Sequence, residues 1–337
     1  MILVANAGSS SLKLSVVADD DTSTRVDSLD DVPPGVRAVA HRIVHGGERF
    51  REPVLIDDDV RRELLALGDL APLHNRTEVQ VIDEARRALP DVPHVAVFDT
   101  AFHATIPEEA AAYAVPRRWR EEWGIRRYGF HGLSVQWAAE TVPVARLVVC
   151  HLGAGCSVTA VADGRSVDTT MGFSPLDGVP MATRSGAIDP AITPYLVRTG
   201  RLDVAAAERA LEQESGLLGL SGVSARVEEL ERDVTPAAQL ALGVFARRVA
   251  AAVAAMTTAL GGLDAVVFTG GVGERSARVR ADVCGRLGFL GIALDQRRNE
   301  APGATGEVGA SAVRVVVVPA REDVVAARAA RAGLAAT

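Results

Sequence analysis

The chain opens on an apolar run, Ile2 to Ala5. A polar turn follows, Asn6-Ala7-Gly8-Ser9-Ser10-Ser11, and then Leu12, Leu14 and Val16 alternate with Lys13, Ser15 and Val17. A short apolar run, a turn and a period-two stretch predict a β-hairpin with a Gly/Ser tip. Residues 19–35, rich in Asp and Pro, predict a loop. A strand is expected at 36–40, helices over 58–68 and 76–88 with Asn75 capping the second, and a strand at 94–98. The Gly-flanked loop Arg126–Gly132 precedes a helix over 133–140. Leu147–Cys150, the turn His151–Ser157 and Val158–Val161 then repeat the opening plan, and Asp163-Gly164 turns the chain into a strand at 166–169. The repetition predicts a duplicated α/β fold. Met171–Pro190, rich in Gly and Pro, predicts a long ordered loop, and such loops are usually functional. Helices are expected over 190–199, 203–214, 224–232 and 236–260. Strand 264–269 runs into Gly270-Gly271-Val272-Gly273-Glu274, read as a turn before a helix over 276–288; strand 313–318 precedes an Ala-rich terminal helix.

Composition narrows the function classes. At 337 residues the chain has room for two domains. It is 48% hydrophobic, its net charge is −7, and no basic run exceeds two residues, so nucleic acid is not an expected partner. Cys150, Cys156 and Cys284 form no CxxC pair and no even framework, which fits a reducing compartment. Met1 leads directly into a strand, so no signal peptide is expected. The apolar stretch 236–260 carries Gln239, Arg247 and Arg248 and is read as a core helix, with no membrane partner. A cytoplasmic protein is the expectation.

Several residues have chemistry to offer. Lys13 is the sole lysine among 36 basic residues, which suggests a compact point charge at the first Gly/Ser tip. Backbone N–H groups, hydroxyls and one ammonium suit a phosphate. Arg42, His41 and His45 stand at or just beyond a strand end, where α/β proteins place ligand contacts. Each histidine alone suits a structural role better. Asp99, directly after a buried strand, suits a catalytic or metal-binding carboxylate, with a helix N-cap as the alternative. All seven histidines lie between 41 and 151 with no H-x-x-x-H helix pair, so zinc is not indicated. The Gly-Gly-x-Gly loop before a helix favours an anion. Glu322 and Asp323 suit either favourable first-turn acids or a cation site.

In order along almost the whole chain, NAGSSSLK (6–13), HRIVHGGE (41–48), PLHN (72–75), VAVFDTAFH (95–103), RRYGFHG (126–132), CHLGAG (150–155), VDTTMGFSPLDG (167–178), TRSGAIDP (183–190), GLLGLSGVS (216–224) and FTGGVGE (268–274) resemble the acetate kinase family of the acetate and sugar kinase/Hsp70/actin superfamily. The resemblance implies an α/β fold of duplicated actin-like (ribonuclease H-like) domains around a central cleft. The first domain would be 1–145 with 320–337, the second 146–319. It implies reversible, Mg²⁺-dependent phosphoryl transfer to acetate by direct in-line displacement, with Mn²⁺ as the alternative ion. Such transfer needs positioning and cations more than covalent chemistry. By resemblance, the catalytic set is Asp99, His131, Arg184 and Arg42, and the acid would meet Arg42, Val44, Leu73, Phe130 and Pro175. The nucleotide phosphates would meet Lys13, Ser9, Ser11, His74, His151, Gly153, Gly155, Gly270, Gly271 and Gly273. Asn6 and Glu322 would hold the metal, with Asp99 helping to position it through water. A homodimer is likewise implied.

The chain departs from the family pattern at three places. Ala154 stands where the second phosphate loop has Asn. Arg226-Val227-Glu228 stands where an Asp-Met-Arg stretch meets the ribose and adenine. The segment between Val17 and Val36 is short. A reversed charge at the base site makes pyrophosphate or another nucleotide the alternative to ATP. Propionate is the alternative acid, and a catalytically silent ligand sensor the alternative from another class.

Overall fold

In the computed structural model of the chain, the described residues are 1–7, 12–69, 75–303 and 306–335. They divide into two compact units, Met1–Ala104 with Phe130–Trp137 and Arg321–Thr337, and Thr105–Gly129 with Ala138–Ala320. Both are mixed α/β units, each built on one mixed sheet.

The first unit holds a six-stranded sheet of β1 (Ile2–Ala7), β2 (Leu12–Val17), β3 (Ser23–Val26), β4 (Ala38–Ile43), β5 (Val54–Leu55) and β6 (His94–Phe98), in the order β3-β2-β1-β4-β6-β5. β1 is antiparallel to β2 and parallel to β4, which is parallel to β6. The apolar runs in β1, β4 and β6 follow from burial on both faces. On one face Ile2, Val4, Ala40, Val95 and Val97 pack on Val324, Val325 and Ala327 of the terminal helix Glu322–Ala335. On the other, Leu3, Ala5 and Val39 pack on Val81 and Ala85 of helix Asn75–Ala88. The period of two in the sequence thus separates two cores.

Four local expectations are corrected. β1 continues through Asn6 and Ala7, because they pair with Lys13 and Leu12 across the hairpin. Residues 19–35 are not all loop: β3 pairs with β2 as an edge strand whose Thr24 and Arg25 are exposed, so it carries no apolar signal. β4 starts at Ala38 and runs past 40 to Ile43, which puts His41 and Arg42 inside the strand. The helix expected at 58–68 is Asp58–Ala66, capped by the Asp57 side chain, which accepts from Val60 N at 2.7 Å. The hairpin tip with Ser9 and Ser11, and the turn with Leu73 and His74, lie outside the described residues.

The second unit repeats the plan. Its sheet is β7 (Arg146–Leu152), β8 (Cys156–Ala162), β9 (Arg165–Thr169), β10 (Ala265–Thr269) and β11 (Arg314–Val317), in the order β11-β10-β7-β8-β9. The order β3-β2-β1-β4-β6 of the first sheet recurs here as β9-β8-β7-β10-β11, with the same antiparallel and parallel pairings. The helix Pro236–Leu260 is long and apolar enough to cross a membrane by length and composition. Its Phe245, Val249 and Val253 are buried, and it packs on β7 and β8. Thr235 caps it, accepting from Ala238 N at 3.4 Å. Gly270–Arg275 is a short helix rather than the expected turn, and the helix after it is Ala277–Gly285. Helices Glu108–Ala111, Arg117–Trp123 and Gly216–Ser221 escape the sequence pattern because each is too short to show a period.

Candidate active site

At the carboxyl ends of β4 and β6, Arg42 and Asp99 form a two-pronged ion pair. Arg42 Nε donates to Asp99 Oδ1 at 3.1 Å and Nη2 donates to Oδ2. The third arm, Nη1, donates to Asn6 Oδ1 at 3.2 Å, and Asn6 Nδ2 donates to Glu322 Oε2 at 3.2 Å. Side-chain exposure is 13% for Arg42 and 1% for Asp99. The planar guanidinium is what lets one cation bridge two strands in this geometry. Burial works against the Arg42 charge, but Asp99 and Glu322 outweigh it and hold the guanidinium above its ordinary range. Burial pushes the Asp99 carboxyl up, and Arg42 pulls it back toward the ionised form. Asp99 is therefore not a helix cap; the following turn, Ala101–Thr105, is a 3₁₀ segment. Lys13 is exposed on the face it shares with its cross-strand partner Asn6.

Asp99 also sets the loop that carries His131. Its main-chain oxygen accepts from Gly132 N at 2.9 Å, and its carboxylate accepts from the His131 backbone N–H. His131 adopts φ 59°, the left-handed region that is strained for a side-chain-bearing residue. Gly132 allows this approach, since a Cβ there would lie 2.1 Å from Asp99 O. One residue earlier, Phe130 O accepts from His103 Nε2 at 2.8 Å. The sequence motifs around 99–103 and 126–132 thus meet as one backbone assembly.

Two histidines are structural. His41 is buried inside β4. Its Nε2 lies 2.9 Å from His94 Nδ1, and His94 Nε2 lies 3.1 Å from Leu89 O. The carbonyl requires a proton on His94 Nε2, so His41 donates to His94 Nδ1. Burial lowers the pKa of His41 to about 3 and that of His103 to about 4. Both are depressed, so their stabilisation is present above the ordinary value of 6.5 and is lost as pH falls through about 4 and then about 3. We expect the unfolding free energy to fall from pH 6.5 downward, by about 1.4 kcal/mol per unit for each group until its folded pKa is reached. Urea titrations of the protein and of His103→Gln at several pH values check this. An unchanged slope in the variant would show that His103 titrates as freely folded as unfolded.

Just past β4, Val44 is buried and its N–H lies 3.2 Å from both carboxylate oxygens of Glu78 in helix Asn75–Ala88. Burial pushes the Glu78 carboxyl up to about 8, while Arg42 and the Val44 N–H pull it down. Phe130 is buried and packs edge-on against the His45 ring, with centroids 5.4 Å apart.

The second unit carries its own set. The β7–β8 turn is tighter than expected, because the strands take in His151, Leu152 and Cys156 and leave Gly153-Ala154-Gly155 as the tip. Gly153 N donates to Gly155 O at 2.9 Å. The short helix Gly270–Arg275 is seated on the end of β7. Gly270, at φ 77°, is needed there, since a Cβ would lie 2.8 Å from Leu152 O. Gly270 and Gly273 are both buried; Gly153 and Gly271 line a cavity of about 680 Å³. Its walls include Ala154, Leu217, Arg226, Glu228, Glu231 and Arg275. Arg226 pairs with Glu229 at 3.2 Å and Glu228 at 3.6 Å, and Arg232 pairs with Glu228 at 2.7 Å. The altered stretch is thus a self-neutralised rim on the cavity. His151 is buried on β7, opposite Ser157 and Thr269 in the neighbouring strands.

Arg184 sits in the long loop, with Nη1 3.4 Å from Pro175 O. Burial lowers its pKa from the ordinary arginine value, offset by Glu212 and Cys156. No carboxylate reaches ion-pair distance of it among the described residues. The loop is pinned by residues to which the sequence reading assigned no role. Arg127 Nη1 donates to Thr169 O and Thr170 O at 2.8 and 3.0 Å, and Tyr113 Oη accepts from Phe173 N at 2.9 Å. Glu78, Glu231, Arg275 and Leu217 were missed as well. Nothing local marks them, since their burial or cavity position depends on distant elements.

The first unit therefore brings together Asn6, Arg42, Asp99 and Glu322 by direct bonds, with His131 held beside Asp99. The second brings Gly153 and Gly271 to one cavity and Arg184 to Pro175. A sequence profile of the acetokinase family matches residues 25–328. The chain is 44% identical over 323 residues to an acetate kinase of Nostoc punctiforme, covering 92% of this chain and 78% of that protein. It is 47% identical over 308 residues to an acetate kinase of Deinococcus radiodurans, covering 87% and 77%. The crystal structure of a propionate kinase from Francisella tularensis superposes with a TM-score of 0.90 at 34% identity, covering 97% of this chain and 98% of that one.

Proposed function

This chain belongs to the acetokinase family, and from that membership we propose that it transfers a phosphoryl group from a nucleoside triphosphate to the carboxylate of acetate. A carboxylate oxygen of the acid attacks the γ-phosphorus in line, the bond to the leaving nucleoside diphosphate breaks, and acetyl phosphate forms. The observation that carries the nucleotide is the cavity of about 680 Å³ beside Gly153 and Gly271. That volume suits a base and ribose beyond the phosphates, and a diphosphate alone would leave most of it empty. The reversed charges at Arg226 and Glu228 do not close it, because their guanidinium and carboxylate groups neutralise each other at the rim.

In the first unit, Arg42 meets anionic oxygens of the acid and the phosphoryl group, His131 donates to the phosphoryl group, and Val44 and Phe130 offer apolar surface to the methyl group. Leu73 and His74 belong to the same reading. Arg184 and Pro175, in the second unit, belong to the same reading. Fixed cations aimed at a loose, anionic transition state are what this reaction needs.

The donor set in the first unit fits Mg²⁺ held largely through water. Arg42 engages both Asp99 oxygens and the Asn6 oxygen, and Asn6 Nδ2 donates to Glu322 Oε2, which leaves Glu322 Oε1 as the hard oxygen of this set with no donor on it among the described residues. Among the described residues no group of three His, Cys, Asp or Glu side chains forms a protein cage. Magnesium keeps several waters and takes one or two carboxylates plus substrate phosphates. Glu322 would hold it directly, with Asn6, whose oxygen accepts from Arg42, and Asp99 as partners through water, and the ion would neutralise charge on the donor phosphates. A cytoplasmic homodimer belongs to the same reading. Ile188, Ile192 and Tyr195, all exposed on the second unit, support a surface that a second copy covers.

Hydroxylamine trapping of acyl phosphate, with acetate, Mg²⁺ and either ATP, GTP or pyrophosphate, tests the proposal. Turnover with ATP is expected, with propionate as a weaker acceptor, because one methylene is worth about 1–3 kcal/mol in such a pocket. Chelation of the metal is expected to abolish turnover and restoring Mg²⁺ to return it. Turnover with pyrophosphate alone would overturn the nucleotide reading. Ligand binding without turnover under any donor would favour a sensor.

A further inference from the structure

β4 leaves the sheet after Ile43, whose oxygen still accepts from Asp99 N at 2.9 Å. The next N–H, that of Val44, has no strand beside it and is buried, so it needs an acceptor from elsewhere. Glu78 supplies it. The side chain is 2% exposed, both its oxygens lie 3.2 Å from Val44 N, and that N–H is its one hydrogen-bond donor among the described residues. Two residues on, Gly46 N donates to Thr100 Oγ1 at 3.1 Å. The strap Ile43–Gly46 is thus tied to β6 and its following turn by Asp99 and Thr100, and to helix Asn75–Ala88 by Glu78.

A buried carboxylate is a costly way to satisfy one amide. Burial favours its neutral form, in which a carbonyl oxygen still accepts the amide, and the Arg42 charge pulls the other way. The arrangement couples two things that a carboxylic-acid substrate would feel, the seat of the Val44 side chain and the charge environment of Arg42. We propose that Glu78 is a positioning residue for the acid substrate. It holds the Val44 main chain through a hydrogen bond, and so sets the apolar wall that distinguishes a two-carbon from a three-carbon acid. This rests on the reading above that Val44 lines the acid pocket.

The test is steady-state kinetics of the full chain with ATP and Mg²⁺, using acetate and propionate, for Glu78→Gln, Glu78→Ala and Val44→Ala. Loss of the acceptor in Glu78→Ala is expected to raise KM for acetate by about tenfold, the scale of one buried unsatisfied N–H. The acetate-to-propionate preference should collapse toward unity, with KM for ATP unchanged. Glu78→Gln keeps an acceptor oxygen and is expected to keep both the acetate KM and the preference. Should Glu78→Ala not fold, Glu78→Met, which fills the space without an acceptor, is read in its place.

An unchanged acetate KM and preference in the acceptor-less variant would overturn the proposal. So would a fall in kcat with all KM values equal, which is what loss of folding alone produces. A Gln variant as impaired as the Ala variant would overturn it too, because charge and not the hydrogen bond would then matter. The Val44→Ala variant separates the two levels. If it leaves the acid preference untouched, the pocket reading fails, whatever Glu78 does.

Discussion

Arg42→Ala is expected to lower kcat/KM for acetate by about 10²- to 10³-fold, the cost of removing one preorganised charge aimed at a developing oxyanion. It is also expected to destabilise the fold by about 3–5 kcal/mol, because Asp99, 1% exposed, would be left as a buried charge without its partner. The two effects have different origins and can be separated. Arg42→Lys keeps a cation but loses the fork that reaches Asp99 by two bonds and Asn6 by a third. It should recover much of the stability and little of the activity. Urea denaturation and acyl phosphate formation, measured on both variants, check this. Unchanged turnover in Arg42→Ala would remove Arg42 from the site, while full activity in Arg42→Lys would reduce its role to that of a point charge.

The second large effect is expected in the second unit. Arg280 is 1% exposed and serves no carboxylate at ion-pair distance among the described residues. Its guanidinium donates to Gly273 O at 2.8 Å, Glu274 O at 2.9 Å, Asn299 Oδ1 at 2.8 Å and Asn299 O at 2.5 Å. Gly273 and Glu274 belong to the short helix that presents Gly271 to the cavity. Burial lowers the Arg280 pKa, with Cys284 and Glu231 working the other way. Arg280→Met fills similar space but leaves these acceptors without a donor. A loss of about 3–5 kcal/mol is expected, since a hydrogen bond from a charged donor is worth about 1.5–3 kcal/mol and these are not additive. The KM for ATP should rise as the helix loses its anchor, and the KM for acetate should move less. A variant with the parent's urea midpoint would show that the buried guanidinium is dispensable.

Neither effect is legible along the chain in the same degree. The central strands are: Ile2–Ala5 and 94–98 are apolar runs, and apolar runs report burial on both faces wherever they occur. The helix at 236–260 is also legible, because a cap, a proline at its start and a long apolar stretch are all local. β3 is not, because an edge strand with exposed side chains carries no apolar period. Gly270–Arg275 reads as a turn along the chain because glycines look like one until β7 is beside them, where Gly270 is needed for the close approach to Leu152 O. The position of Asp99 after a buried strand left open whether it caps a helix or holds a charge, and the family motifs singled out Arg42 and Asp99 as catalytic.

What the sequence by itself determined is the order of the central strands and the long helices, the duplicated strand–turn–strand plan and the set of polar residues able to do chemistry. These depend on short-range pattern: burial of alternate side chains, turn residues and caps. What only the tertiary structure decided is which of those residues share a bond. Asn6 meets Glu322 across 316 positions and Arg42 meets Asp99 across 57. Glu78 becomes a buried acceptor only because β4 ends beside its helix, and Arg280 becomes a core residue only because Asn299 folds back on it. A charge is stable in a core when its partners are in place, and partners that distant are chosen by packing, not by periodicity.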